Sequence, residues 1–247
     1  MKALRTFLFL LPVLVCTSCG PPAHPSKRLI ILADVSASIV SEARAQMFAA
    51  MREMLTHLER GDAITIMPVA TDASANLQGH ILRFEVPTAR EPYDEDLKRF
   101  HKTVGKALAS MEAESMRVPA SRTDLLGTLA IAGEEFKRER QRETMLIIFS
   151  DFLEDDKTFK FANNKALGVP RSARLLAERL AAGKAVFPGT PIFCGELRST
   201  EWLTLDGVRR VAIREFWEAY LTAMGGKVSF AVDGPATAAA IVRDDER

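Results

Sequence analysis

The chain has 247 residues, room for one large domain or two small ones. Hydrophobic residues make up 47% and charged residues 26%, the balance of a soluble globular protein rather than a disordered or fibrous one. A formal net charge of +1 argues against recruitment of nucleic acid, or of an anionic membrane surface, by bulk electrostatics.

Residues 1–19 read as a targeting segment. Lys2 and Arg5 supply a positive start, and Phe7 to Val15 is an apolar stretch too short to span a bilayer. The small residues from Cys16 to Cys19 close it, and the whole resembles a bacterial lipoprotein signal. The resemblance implies cleavage that exposes Cys19 for lipid attachment, with Cys16 standing where Leu is commonest. A plain secretory signal cut nearby is the alternative. Either places the mature chain outside the cytoplasm, and the first anchors it to a membrane of the bacterial envelope. Residues 20–27, rich in Pro, read as an extended tether. With Cys16 removed and Cys19 lipidated, Cys194 is the last of the three cysteines, so no internal disulfide is expected. Cys194 lies in an apolar run and reads as a core residue.

The domain proper is expected over residues 28–233, followed by a C-terminal tail over 234–247. Arg28 to Ala33 is an unbroken apolar strand of the kind buried on both faces of a parallel sheet. Ser41 to Arg60 carries Ala43, Met47, Met51, Met54 and Leu58 at helical spacing, with Gly61 placed to cap the end. Ser38 and Ser41 are both candidates to cap its start. "DAITIMPVA" is a second strand, and "HILRFEV" alternates like an edge strand. Pro92 to Met116 and the stretch from Leu125 to Phe136 are helical, and "ETMLIIFSD" is another apolar strand. Ser172 to Ala182 is a helix. "AVFPGTPIFCGEL" is a strand limited by Pro188 and Pro191, Val208 to Met224 a helix with a core-forming "FWEAY", and "KVSFAV" the last strand. Strands alternating with helices predict an α/β fold: three layers, doubly wound, a mostly parallel sheet with helices on both faces.

Ligands of such sheets sit outside the carboxyl ends of the strands. Asp34 and Asp151 each stand at such an end. Carboxylates at the tips of buried strands are costly unless something positive lies between them. Asp34, Ser36 and Ser38 alternate along an extended stretch and can aim oxygens at one point. Thr123, between a loop and a helix, offers a further hydroxyl. A site built only of carboxylate and hydroxyl oxygens suits Mg²⁺ or Mn²⁺ rather than zinc or copper.

This D-x-S-x-S, with a later Thr before a helix and a later Asp after a strand, resembles the metal-ion-dependent adhesion site of von Willebrand factor type A domains. The resemblance covers about Lys27 to Val232 in element order. It implies that Asp34, Ser36, Ser38, Thr123 and Asp151 hold Mg²⁺ (or Mn²⁺), directly or through water. It also implies that an Asp or Glu carboxylate of a protein partner fills the open coordination position. Many family members have Gly before the Thr and after the second Asp; here the neighbours are Arg122 and Phe152. Arg122 on the rim would help catch an acidic partner. Phe152, with Leu153, fits either an apolar rim or the core.

Plainer roles exist for the same residues. Asp34 could be satisfied by backbone N–H groups, and Thr123 could simply cap the helix that starts at Asp124. Glu154 to Lys157 could form a second cation site but reads more readily as a solvated acidic loop. His24, His57, His80 and His101 show no metal-ligand spacing. The expected function is therefore a binding module and not an enzyme. One alternative is a Mg²⁺-dependent phosphoesterase, which would ordinarily carry a second Asp as general acid where Ser36 stands. Another is an assembly domain whose metal site has decayed.

Overall fold

The computed structural model describes residues 25–69, 80–139, 142–156, 159–161 and 163–243. The signal segment, Cys19 and most of the tether lie outside these residues. The apolar run after the tether is β1 (Lys27–Asp34), buried along its whole length. Further strands are β2 (Ala63–Val69), β3 (Leu82–Glu85), β4 (Glu143–Ser150), β5 (Pro191–Glu196) and β6 (Lys227–Ser229). They form one sheet in the order β3-β2-β1-β4-β5-β6. Every neighbouring pair is parallel except β2 with β3, so the alternating segment is an antiparallel edge, as its pattern predicts.

The described helices are α1 (Ser41–Thr56), α2 (Glu95–Arg117), α3 (Leu125–Arg138), α4 (Pro170–Ala181), α5 (Thr200–Thr204), α6 (Gly207–Ala223) and α7 (Pro235–Arg243). Alternation along β1 sorts its side chains into two cores. Ile30 and Leu32 point to one face, where α3, α4 and α6 bring Leu129, Ala177 and Trp217. Leu29 and Ile31 point to the other, covered by α1, α2 and α7 through Met51, Val104 and Ile241. The three-layer expectation is borne out.

Three local expectations are corrected. The N-cap of α1 is Val40, with no side-chain cap, so neither Ser38 nor Ser41 fills that role. Helix α1 ends at Thr56, and Gly61, with φ +87°, instead makes the turn into β2. The segment set apart as a C-terminal tail contains α7, whose Ala238, Ile241 and Val242 join the α1 face of the core. Their i, i+3, i+4 spacing is that of a packed helix.

The strand order reverses direction at β1 and β4. The crevice at the carboxyl ends of these two strands is where the fold exposes backbone and side-chain groups to a ligand.

Candidate metal centre

Asp34 is the last residue of β1, and Asp151 follows β4 directly. Parallel pairing of the two strands, with Ala33 opposite Phe149, delivers both carboxylates to the same end of the sheet. Asp34 is fully buried and Asp151 is 2% exposed.

A chain of hydrogen bonds joins them. Ser36 donates its backbone N–H to Asp34 Oδ1 at 2.9 Å. Ser36 Oγ lies 3.0 Å from Ser38 Oγ, and Ser38 Oγ donates to Asp151 Oδ2 at 3.2 Å. Ser38 is only half-buried and Ala37 is exposed, so the chain of oxygens has one side toward solvent. Four of the five predicted residues therefore converge.

Thr123 is buried, and its segment runs beside the Asp34 loop. Ala120 pairs with Ser36 as an isolated parallel bridge, through Ala37 N–H to Ala120 O at 2.8 Å and Ala120 N–H to Val35 O at 3.1 Å. The alternative role for Thr123, capping the next helix, belongs instead to Asp124, which accepts from Gly127 N–H at 2.8 Å.

Three participants were not foreseen. Ser150 Oγ donates to Asp34 Oδ2 at 2.6 Å and accepts Phe152 N–H at 3.0 Å. Its only sequence signal is its place beside Asp151. Ser199 Oγ accepts Trp202 N–H at 3.0 Å at the start of α5, and its side chain also opposes the rise of the Asp151 carboxyl; a helix-capping serine gives no hint of that second role. The guanidinium of Arg44 is buried and donates to the carbonyls of Ser36 and Ile39 at 2.7 and 3.3 Å, and to that of Ser115. A charged residue beside the apolar stripe of α1, one turn from its start, was the available clue.

Electrostatics single out the aspartate pair. Burial raises the Asp34 carboxyl above the usual range, against the opposing effect of hydrogen bonds from Ser150 and Ser36 and the nearby Arg44. Asp151 is pushed up to about 7, first by burial and then by the charge of Asp34. Such a pair is short of positive charge. The surrounding donors are hard oxygens, so the residues present fit Mg²⁺ or Mn²⁺ and would hold it through carboxylate and hydroxyl oxygen.

The rim expectation divides. Arg122 stays half-buried on the loop before Thr123. Phe152 does not line a rim: it is 2% exposed and packs its ring on Trp217 and Phe230. Its carbonyl accepts Trp217 Nε1–H at 2.8 Å, so the backbone turn after Asp151 drives the ring inward. The acidic loop is corrected as well. Glu154 is 1% exposed, and its Oε2 accepts the first N–H groups of α3, from Leu125 at 3.0 Å and Leu126 at 3.1 Å. Carboxylate oxygens of Asp124, Glu154 and Asp156 lie within 4.8 Å of one another, an acidic cluster able to hold a metal ion.

No family model matches the sequence, and no curated protein does. Among solved structures the chain is similar to a von Willebrand factor type A protein from Catenulispora acidiphila, at 16% identity and a TM-score of 0.47, over 90% of this chain and 42% of that one. It is similar to BatB from Bacteroides thetaiotaomicron at 10% identity and a TM-score of 0.48, over 89% of this chain and 97% of that one. It is also similar to a manganese-loaded TRAP protein from Plasmodium vivax, at 10% identity and a TM-score of 0.42, over 89% and 73% of the two chains. These are likenesses of fold alone.

Proposed function

We propose that this chain is a binding module that captures an acidic group of a protein partner through Mg²⁺ or Mn²⁺. The ion is held by Asp34, Ser36, Ser38 and Asp151, with Thr123 completing the set. The reading rests on one observation: two buried carboxylates at the ends of neighbouring strands are joined through the Ser36 backbone N–H and the Ser36 and Ser38 hydroxyls, and that run is open to solvent at Ser38. Hydroxyl ligands add no charge, so the ion stays electrophilic and attracts an incoming Asp or Glu. Ser36 occupies the position a hydrolase would give to its proton donor, which favours binding over phosphoester chemistry. Arg122, half-buried beside the ligand loop, would add attraction for an acidic partner. In this reading the domain works in the bacterial envelope, tethered by a lipid on Cys19.

The test is thermal unfolding of wild type and Asp34→Ala, each in chelator and then in excess Mg²⁺. An ion that binds only the folded state stabilises it by about 2.7 kcal/mol at one hundred times its dissociation constant. Wild type is expected to gain several degrees and Asp34→Ala none. A wild-type melting temperature indifferent to both Mg²⁺ and Mn²⁺ overturns the reading.

A further inference from the structure

We infer that Asp124, Glu154 and Asp156 form a second cation site, distinct from the Asp34 centre and suited to Ca²⁺. The inference goes beyond the function proposed above and does not depend on it. The decisive atom is Glu154 Oε1. Glu154 is 1% exposed, and its other oxygen, Oε2, is occupied by Leu125 and Leu126 N–H. Oε1 is buried with no hydrogen-bond partner among the described residues. Helix capping accounts for one half of this carboxylate and leaves the other half costly, because a buried anionic oxygen without a partner carries its full desolvation penalty. The orphaned oxygen belongs to a cluster with Asp124 and Asp156, whose charges oppose its own. A cation removes both problems together.

The seat of Asp124 is shaped for its carboxylate. A Cβ on Gly127 would stand 2.5 Å from both Asp124 oxygens, so this carboxylate keeps its place only above a residue with no side chain. Asp156 is held from the other side, accepting Phe159 N–H on its Oδ1. The two loops are clipped together by Asp155 N–H to Thr123 O at 2.9 Å. All three carboxylates are therefore positioned by backbone donors.

Charge and ligand number point to calcium. Three carboxylates with oxygens close enough to share one ion suit Ca²⁺, which takes six to eight oxygens in a flexible shell. Mg²⁺ is ordinarily held by one or two carboxylates in a strict octahedron. Asp124 and Asp156 are half-buried, which leaves room for the waters that complete a calcium shell. Because Asp124 follows Thr123, an ion here would also steady the segment that carries the fifth ligand of the first centre.

The experiment is calorimetric titration of the full chain with CaCl₂ after chelator treatment, using wild type, Asp34→Ala and Asp156→Asn. Asp156 is chosen because it is half-buried, and circular dichroism checks that its variant folds. Asp34→Ala is expected to keep a Ca²⁺ site of wild-type affinity. Asp156→Asn is expected to bind Ca²⁺ at least about 10-fold more weakly, since calcium affinity follows the number of charged ligands. Absence of Ca²⁺ binding in folded Asp34→Ala, or wild-type Ca²⁺ affinity in Asp156→Asn, overturns the inference. Failure of the Asp34 centre reads differently: there the Mg²⁺ response is missing from wild type while the Asp156-dependent Ca²⁺ site remains.

Discussion

Ser38 and Asp151 are 113 residues apart in the chain and meet through a hydrogen bond of 3.2 Å, hydroxyl to carboxylate, at the open side of the crevice. The same hydroxyl is 3.0 Å from Ser36 Oγ, so Ser38 is the link through which the two strand ends communicate. Ser38→Ala removes one proposed ligand oxygen and the donor to Asp151. Mg²⁺ affinity is expected to fall by about 10–100-fold, the loss typical when a group that orients or completes a metal site is removed. The half-buried position makes the cost to folding small, about 1 kcal/mol. Calorimetry for the ion and urea unfolding for stability check both, and an unchanged Mg²⁺ affinity would remove Ser38 from the ligand set.

The aspartate pair makes stability depend on pH in a defined direction. An unfolded Asp titrates at about 3.9, whereas folded Asp151 stands at about 7 and Asp34 is raised in the same sense by burial. The folded state therefore holds protons that the unfolded state has released. Stability from this source is full below about pH 4, is lost as pH rises toward 7, and is level above. Glu154, raised by burial, acts in the same direction. Asp96, held at about 2 by Arg60, and Glu135, lowered first by Arg83, act below this window. In chelator, the urea midpoint is expected to decline from pH 4.5 to pH 7.5. Saturating Mg²⁺ takes over the role of the protons and flattens the decline. A midpoint that climbs with pH in chelator would contradict the buried pair.

Arg44 braces the ligand loop from beneath. It is 4% exposed, and its guanidinium satisfies carbonyls of Ser36, Ile39 and Ser115 while facing the charge of Asp34. Arg44→Ala leaves these acceptors without their donor at a cost of about 1–3 kcal/mol each where they stay buried, so a total loss of about 3 kcal/mol or more is expected. Arg44→Lys is expected to recover less than half, because an ammonium cannot reproduce the planar fork that reaches three carbonyls. Urea unfolding of both variants is the measurement; a loss below about 1 kcal/mol in Arg44→Ala would show that the loop stands without it.

What could be read in the sequence follows from which signals are local. The run from Arg28 to Ala33 could only be a strand buried on both faces, and the alternation of Leu82 to Glu85 marked an edge; both needed nothing beyond side-chain period. Asp34, Ser36 and Ser38 converge because they share one extended stretch, so their meeting was legible too. Ser199 and Arg44 were not, since their contacts depend on which loops the sheet brings together. Glu154 looked solvated because it opens a charged run, and only the neighbouring start of α3 explains its burial. Helix α7 escaped notice because it is short and Ala-rich, and its burial depends on α1, against which it packs.

Phe152 takes the core role of the two the sequence allowed, and its backbone gives a sharp test. Its φ is +59°, a left-handed conformation that costs a residue with a Cβ about 1–2 kcal/mol. The ring offsets that cost: it is buried, 6.0 Å from Trp217 and 5.5 Å from Phe230 between ring centres. Phe152→Ala loses the packing and keeps the strain, for an expected destabilisation of about 3–5 kcal/mol. Phe152→Gly loses the same packing and releases the strain. Elsewhere in a strand or helix Gly is worse than Ala by about 0.5–1 kcal/mol; at this position Gly is expected to equal or exceed Ala in stability. Urea unfolding of the two variants side by side decides it. If Gly is the weaker by the usual margin, the turn after Asp151 is not left-handed, and the account of why the ring points inward rather than to the rim fails with it.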